Sequence, residues 1–60
     1  MPLTNRERDI AVLAVEGLTS REIGARLFLS FRTVENHLQR IYTKLGVTGR
    51  AELLVALAIN

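Results

Sequence analysis

The sequence predicts an all-α domain of four short helices, and three observations carry that prediction. A hydroxyl followed three residues later by a carboxylate occurs at Thr4-Asn5-Arg6-Glu7 and again at Thr19-Ser20-Arg21-Glu22. Each is a capping box, in which the two side chains satisfy the unpaired N–H groups of a helix start. Gly17 and Gly46 stand where helix stops are expected. The stretch Leu29 to Val47 repeats its apolar residues with helical period, and no stretch alternates long enough to suggest a strand.

The first capping box opens a helix that runs to about Glu16. Ile10, Leu13, Ala14 and Gly17 share one side of it, and Leu3 can staple its start. The second box opens a short helix ending near Phe28, with Ile23, Gly24 and Leu27 inward. Ser30 caps the third helix, about 31–45, and Gly46 stops it. Thr48 caps a fourth helix that reaches the C-terminus, with Ala51, Leu54, Val55 and Ala58 as its inward stripe. Leu53 and Leu57 then point outward, one turn apart.

Only Leu29 and Ser30 join the second and third helices. Helix, tight turn and longer helix over about 20–39 is the helix-turn-helix pattern, whose second helix enters the major groove of DNA. The glycine often found in such a turn is absent. The third helix has two distinct faces. Val34, Leu38, Ile41 and Leu45 form a core stripe. Arg32, Asn36, Gln39 and Thr43 fall opposite, as a face poor in the Glu and Lys of an ordinary solvated surface.

The chemistry of that second face suits base edges. The amides of Asn36 and Gln39 can each donate and accept, matching adenine N6 and N7. Arg32 can reach guanine O6 and N7, or a phosphate. Glu35, on the flank, can accept from cytosine N4 or hold Arg32 or Gln39 in place. Thr33, His37, Arg40 and Lys44 lie between the core and the reading face, where phosphates would pass. His37 has a second reading, as a satisfied, half-buried ring packed on the second helix. Thr19, Ser20 and the N–H groups after them add a helix N-terminus, an anion site in its own right. Taken singly, each of these side chains is also compatible with plain solvation.

Bulk properties agree. The 60 residues suffice for one small domain and carry a net charge of +2. That charge is uneven: residues 21–50 hold +4, and the segments on either side hold −1 each. A basic middle favours a polyanion partner. There is no cysteine, and one histidine alone cannot build a metal site. No apolar run nears the roughly 20 residues of a membrane span, and the N-terminal stretch lacks a signal-peptide core. A cytoplasmic setting is expected, with no membrane partner. An enzyme is not: paired carboxylates, a glycine-rich phosphate loop and a nucleophile for His37 are all missing. No cofactor is expected.

The order of residues resembles the LuxR/GerE-type helix-turn-helix domain of bacterial transcription regulators. The matching pieces are Leu3, Thr4, Arg6 and Glu7; Glu16 to Thr19; Glu22 and Ile23; Arg32 to Glu35 with His37; Lys44 to Val47; and Arg50 to Leu53. They lie in register from Leu3 to about Ala58. The resemblance implies base contacts from Glu35, Asn36 and Gln39. It implies backbone contacts from Thr33, His37, Arg40, Lys44 and the start of the second helix. It also implies double-stranded DNA as the partner and a homodimer formed through the fourth helix, where Leu53 and Leu57 would make the seam. Packing on a neighbouring domain, or scattered surface leucines, are the other readings of that pair. RNA polymerase is a further candidate partner. Two departures stand out: Phe31 replaces a frequent proline, predicting a looser start to the third helix, and Gly24 replaces a usual alanine, allowing a closer approach of helix three. Family members mostly carry a sensor domain upstream, so residues 1–60 read as a stand-alone regulator or an excised C-terminal domain, with the excised domain favoured. The alternatives are a protein-interaction module on the same fold and a sigma-factor-like promoter reader.

Overall fold

The computed structural model describes residues 2–59, without the side chain of Ile59. Within them the chain forms α1 (Asn5–Val15), α2 (Ser20–Leu27), α3 (Phe31–Leu45) and α4 (Arg50–Ile59), with no strand among the described residues. Both capping boxes form. Thr4 accepts from Glu7 N while Glu7 accepts from Thr4 N, and Thr19 and Glu22 repeat the exchange. Ser30 caps α3 by accepting from Thr33 N at 3.1 Å. The α4 start differs from expectation. The helix begins at Arg50, and Thr48 instead donates its N–H and hydroxyl to the Glu52 carboxylate, at 2.7 and 2.6 Å. The expected end of α4 at the last residue lies outside the described residues.

The helices also end alike. After α1, Gly17 N donates to Ala14 O and Leu18 N to Leu13 O; after α3, Gly46 N donates to Thr43 O and Val47 N to Tyr42 O. These are the paired closing bonds that need a left-handed residue after the helix, and glycine supplies it at φ +100° and +69°. After α2 the same bend falls on Phe28, at φ 59° and ψ 43°, with Leu29 N donating to Gly24 O at 2.8 Å. The turn without a glycine is therefore made by a strained aromatic residue.

Ile10, Ala11, Ala14, Ile23, Val34, Leu38, Ile41 and Leu53 form the core, with Leu3, Leu13, Leu27, Tyr42, Leu45 and Leu57 packed around it. The radius of gyration, 10.3 Å, matches the value of about 10 Å for a compact chain of this length. Gly24 lies so close to the turn that an added Cβ would sit 2.4 Å from Leu29 O. The close neighbour is the turn that leads into α3, and not α3 itself, whose Val34 Cγ2 would lie at an ordinary contact distance of 3.7 Å.

The rotation of α4 corrects the sequence reading. Leu53 is fully buried and Leu57 half-buried, whereas Leu54 and Val55 are 59% and 60% exposed and Ala51 and Ala58 also face out. Nearly every residue of α4 is apolar, so two stripes compete for the core. The larger leucines of one stripe fill the space against α1 and α3. Leu53 and Leu57 therefore form no outer seam.

Candidate nucleic-acid interface

α3 runs for 15 residues, about 22 Å at 1.5 Å per residue. Its core face buries Val34, Leu38 and Ile41, as expected. That burial fixes the rotation of the helix and turns Arg32, Asn36, Gln39, Arg40 and Thr43 outward, all exposed. Among the described residues, no hydrogen bond or ion pair ties down the side chains of Arg32, Asn36, Gln39 or Arg40. The Thr43 hydroxyl instead donates to Gln39 O at 3.0 Å within the helix. The outward stripe is thus a row of ready donors and acceptors on a rigid element.

The start of α3 is pinned, not loose. The Ser30 hydroxyl accepts from Thr33 N and donates to Thr33 Oγ1 at 2.8 Å. The Arg21 guanidinium lies 5.1 Å from the centre of the Phe31 ring, within cation–π range. Phe31 thereby ties the beginning of α3 to the beginning of α2. His37 is half-buried, with Nδ1 shut off from solvent and without a hydrogen-bond partner. The half-buried position fits the packed reading, but the ring is not satisfied as that reading expects.

Two expected DNA contacts, Lys44 and Ser20, are placed otherwise, and a third, Glu35, is partly engaged. The Lys44 ammonium donates to Glu7 Oε1 at 2.7 Å, and its side chain is only 20% exposed. It tethers the end of α3 to the start of α1 and does not point freely at a phosphate. Glu7 is 3% exposed. The Lys44 hydrogen bond and the Thr4 N–H hold its carboxyl below the usual range, against the opposing effect of burial. Ser20 is 6% exposed, and its hydroxyl donates to Glu35 Oε2, so its side chain is not available to DNA. Glu35 is half-buried, drawn toward α2 and not toward Arg32 or Gln39. Thr19 is exposed at the mouth of α2, with its hydroxyl occupied in the cap.

Glu7 and Arg50 take roles that the sequence reading did not assign, and only Glu7 had a local signal. Glu7 falls on the Ile10 and Ala14 stripe of α1, so a buried carboxylate in need of a cation was implied. Arg50 opens α4 and reaches back across the domain, donating to Leu18 O at 2.5 Å and to Ser20 Oγ at 3.2 Å. Nothing local to Arg50 points there; only its place in the matching motif marks it. No group of three or more metal-ligating side chains occurs among the described residues, and no described helix is long and apolar enough to cross a membrane.

Comparison with known proteins decides the family. The family model for bacterial regulatory proteins of the luxR family, GerE, matches residues 1–57. The chain belongs to the LuxR family. This LuxR-family chain is 46% identical over 55 residues to the spore germination protein GerE of Bacillus subtilis, covering 92% of the chain and 74% of that protein. It is 42% identical over 53 residues to the DNA-binding transcriptional activator DevR/DosR of Mycobacterium tuberculosis, covering 88% of the chain but 24% of the relative. An HTH-type transcriptional regulator of Mycobacterium bovis, 48% identical over 52 residues, is covered to only 6% of its length, against 87% of the chain. Among solved structures, the response regulator ChrA of a heme-sensing two-component system superposes with a TM-score of 0.88 at 41% identity, covering 93% of the chain and 28% of ChrA. The chain is thus a LuxR-type helix-turn-helix DNA-binding domain of transcriptional regulators, a family that does not consist of enzymes.

Proposed function

We propose that residues 1–60 form a domain that binds DNA sequence-specifically by laying α3 in the major groove. The observation that carries this reading is the exposed, untethered stripe of Arg32, Asn36 and Gln39 on a helix whose opposite face is locked in the core. Asn36 and Gln39 read adenine edges, and Arg32 reads guanine or a phosphate. Glu35, held by Ser20, offers its remaining carboxylate oxygen to cytosine N4. Thr33, Arg40, His37 and the N–H groups at the start of α2 meet the backbone. Lys44 and the Ser20 hydroxyl leave that set because both are engaged inside the domain.

The reading includes a homodimer on a two-fold site, in a cytoplasmic regulator. Ala51, Leu54, Val55 and Ala58, exposed along α4, support it. They replace Leu53 and Leu57 as the seam.

The test is selection and sequencing of random duplexes bound by this chain at two salt concentrations. A two-fold motif is expected. Asn36→Ala should weaken binding to that motif selectively, while Arg40→Ala should weaken all DNA and lower the salt slope by about 1. Equal loss on every DNA after Asn36→Ala would sink the assignment of α3 as the reading helix. No binding at low salt would move the function to a protein-interaction module.

A further inference from the structure

The outward stripe of α3 leaves Arg50 without a role. It stands at the start of α4, half-buried, and its two terminal nitrogens hold two points at the start of α2: Leu18 O at 2.5 Å and Ser20 Oγ at 3.2 Å. A guanidinium only donates. The Ser20 oxygen therefore accepts from Arg50, and its single proton is left for Glu35 Oε2. The chain of bonds has one direction, from Arg50 through Ser20 to Glu35. Ser20 is 6% exposed, so little water competes for its hydroxyl. The guanidinium fork is planar and rigid, and it holds both acceptors in one geometry. Glu35 is neighbour to Asn36 on α3. Its Oε2 is engaged and its Oε1 is left over.

We propose that Arg50 is a positioning residue for base reading, fixing the Glu35 carboxylate through Ser20 and so setting the base preferred at one position of the DNA site. The proposal rests on the reading that α3 lies in the major groove. The group recognised is an exocyclic amine donor such as cytosine N4, the base-edge partner of a carboxylate. A tether of this kind holds a reading side chain in place before DNA arrives. It also links the first residue of α4 to the reading face, across sequence separations of 30 and 15 residues.

The experiment compares the chain with Glu35→Gln, Ser20→Ala and Arg50→Lys in random-duplex selection, after matching their helical circular dichroism. Lysine keeps the charge but lacks the two-pronged fork. Glu35→Gln should change the preferred base at one position. Ser20→Ala and Arg50→Lys should each reduce the preference at that same position by roughly fivefold or more, leaving the other positions and the salt slope as they were. A purely structural role would instead weaken all sequences together. The proposal is overturned if Ser20→Ala and Arg50→Lys keep the original preference there, or if Glu35→Gln alters no position. Asn36→Ala and Gln39→Ala provide the separate check. If both leave the selected motif unchanged, the placement of α3 in the groove fails, and the proposal fails with it for that distinguishable reason.

Discussion

Replacing Lys44 by methionine separates a phosphate contact from an internal tether. The variant keeps the aliphatic stem and removes the ammonium, leaving the Glu7 carboxylate, 3% exposed, with the Thr4 N–H alone. A hydrogen bond to a charged group contributes about 1.5–3 kcal/mol, and breaking a fully buried ion pair costs about 3–5 kcal/mol. The Lys44 side chain is 20% exposed, so solvent screens its end of the pair and a loss of about 2 kcal/mol is expected. A domain of this size is stable by only some 3–9 kcal/mol, so the loss should lower Tm by roughly 8–16 °C.

Acid provides the second arm. The folded Glu7 carboxyl lies below its unfolded value, held down chiefly by Lys44 and then by Thr4. Its contribution is therefore complete above the unfolded value, near pH 4.5, and is lost as pH falls through the lower folded value. The difference between the native chain and Lys44→Met should be full at pH 7 and shrink below about pH 4.5. Urea denaturation at several pH values, in a double-mutant cycle with Glu7→Gln, reads the coupling. Salt-dependent DNA binding reads the alternative. An unchanged denaturation midpoint, together with a salt slope lowered by about 1, would refute the tether and restore Lys44 to the phosphate contacts.

Three further expectations concern the frame around the site. Phe28→Gly should raise stability by about 0.5–1 kcal/mol, because relief of a left-handed aromatic at 94% exposure outweighs glycine's extra chain entropy; a thermal melt with no rise would contradict that strain. Gly24→Ala should lower stability by about 1 kcal/mol, since the clash with Leu29 O exceeds the gain in helix propensity; a higher denaturation midpoint would show that the turn yields. Leu53→Ala should cost about 2–5 kcal/mol in dilute solution and Leu54→Ala under about 0.5 kcal/mol, and the reverse order would mean that α4 is rotated the other way.

The legible parts of the sequence were those with local causes. Capping boxes, closing glycines and the core stripe of α3 each involve residues three to seven positions apart, so residue types alone announce them. The exposed row of Arg32, Asn36 and Gln39 followed from that stripe. What the sequence hid depends on distant partners. Lys44 lies on a flank that serves a phosphate as well as a carboxylate, and only the packing of α1 on α3 brings Glu7 to it. Ser20 reads as a helix-start hydroxyl open to solvent until α3 and Arg50 close over it. α4 offers two apolar stripes, and the choice between them is made by the shape of the space beneath, not by the helix itself. Phe28 took a left-handed conformation that its residue type disfavours, imposed by the short connection between α2 and α3.

The double duty of Glu7 has a consequence for the order in which the chain assembles. Its bonds with Thr4 close over three residues, while its bond with Lys44 closes over 37. Loop-closure entropy makes the longer contact costlier by on the order of 2 kcal/mol. The cap can therefore be made while α1 is still an isolated turn, and the ion pair only once α3 has docked. A contact that forms only after the folding transition state leaves the folding rate nearly untouched and slows unfolding. On that reasoning Lys44→Met should speed unfolding more than it slows folding, and Thr4→Ala should act first on the start of α1.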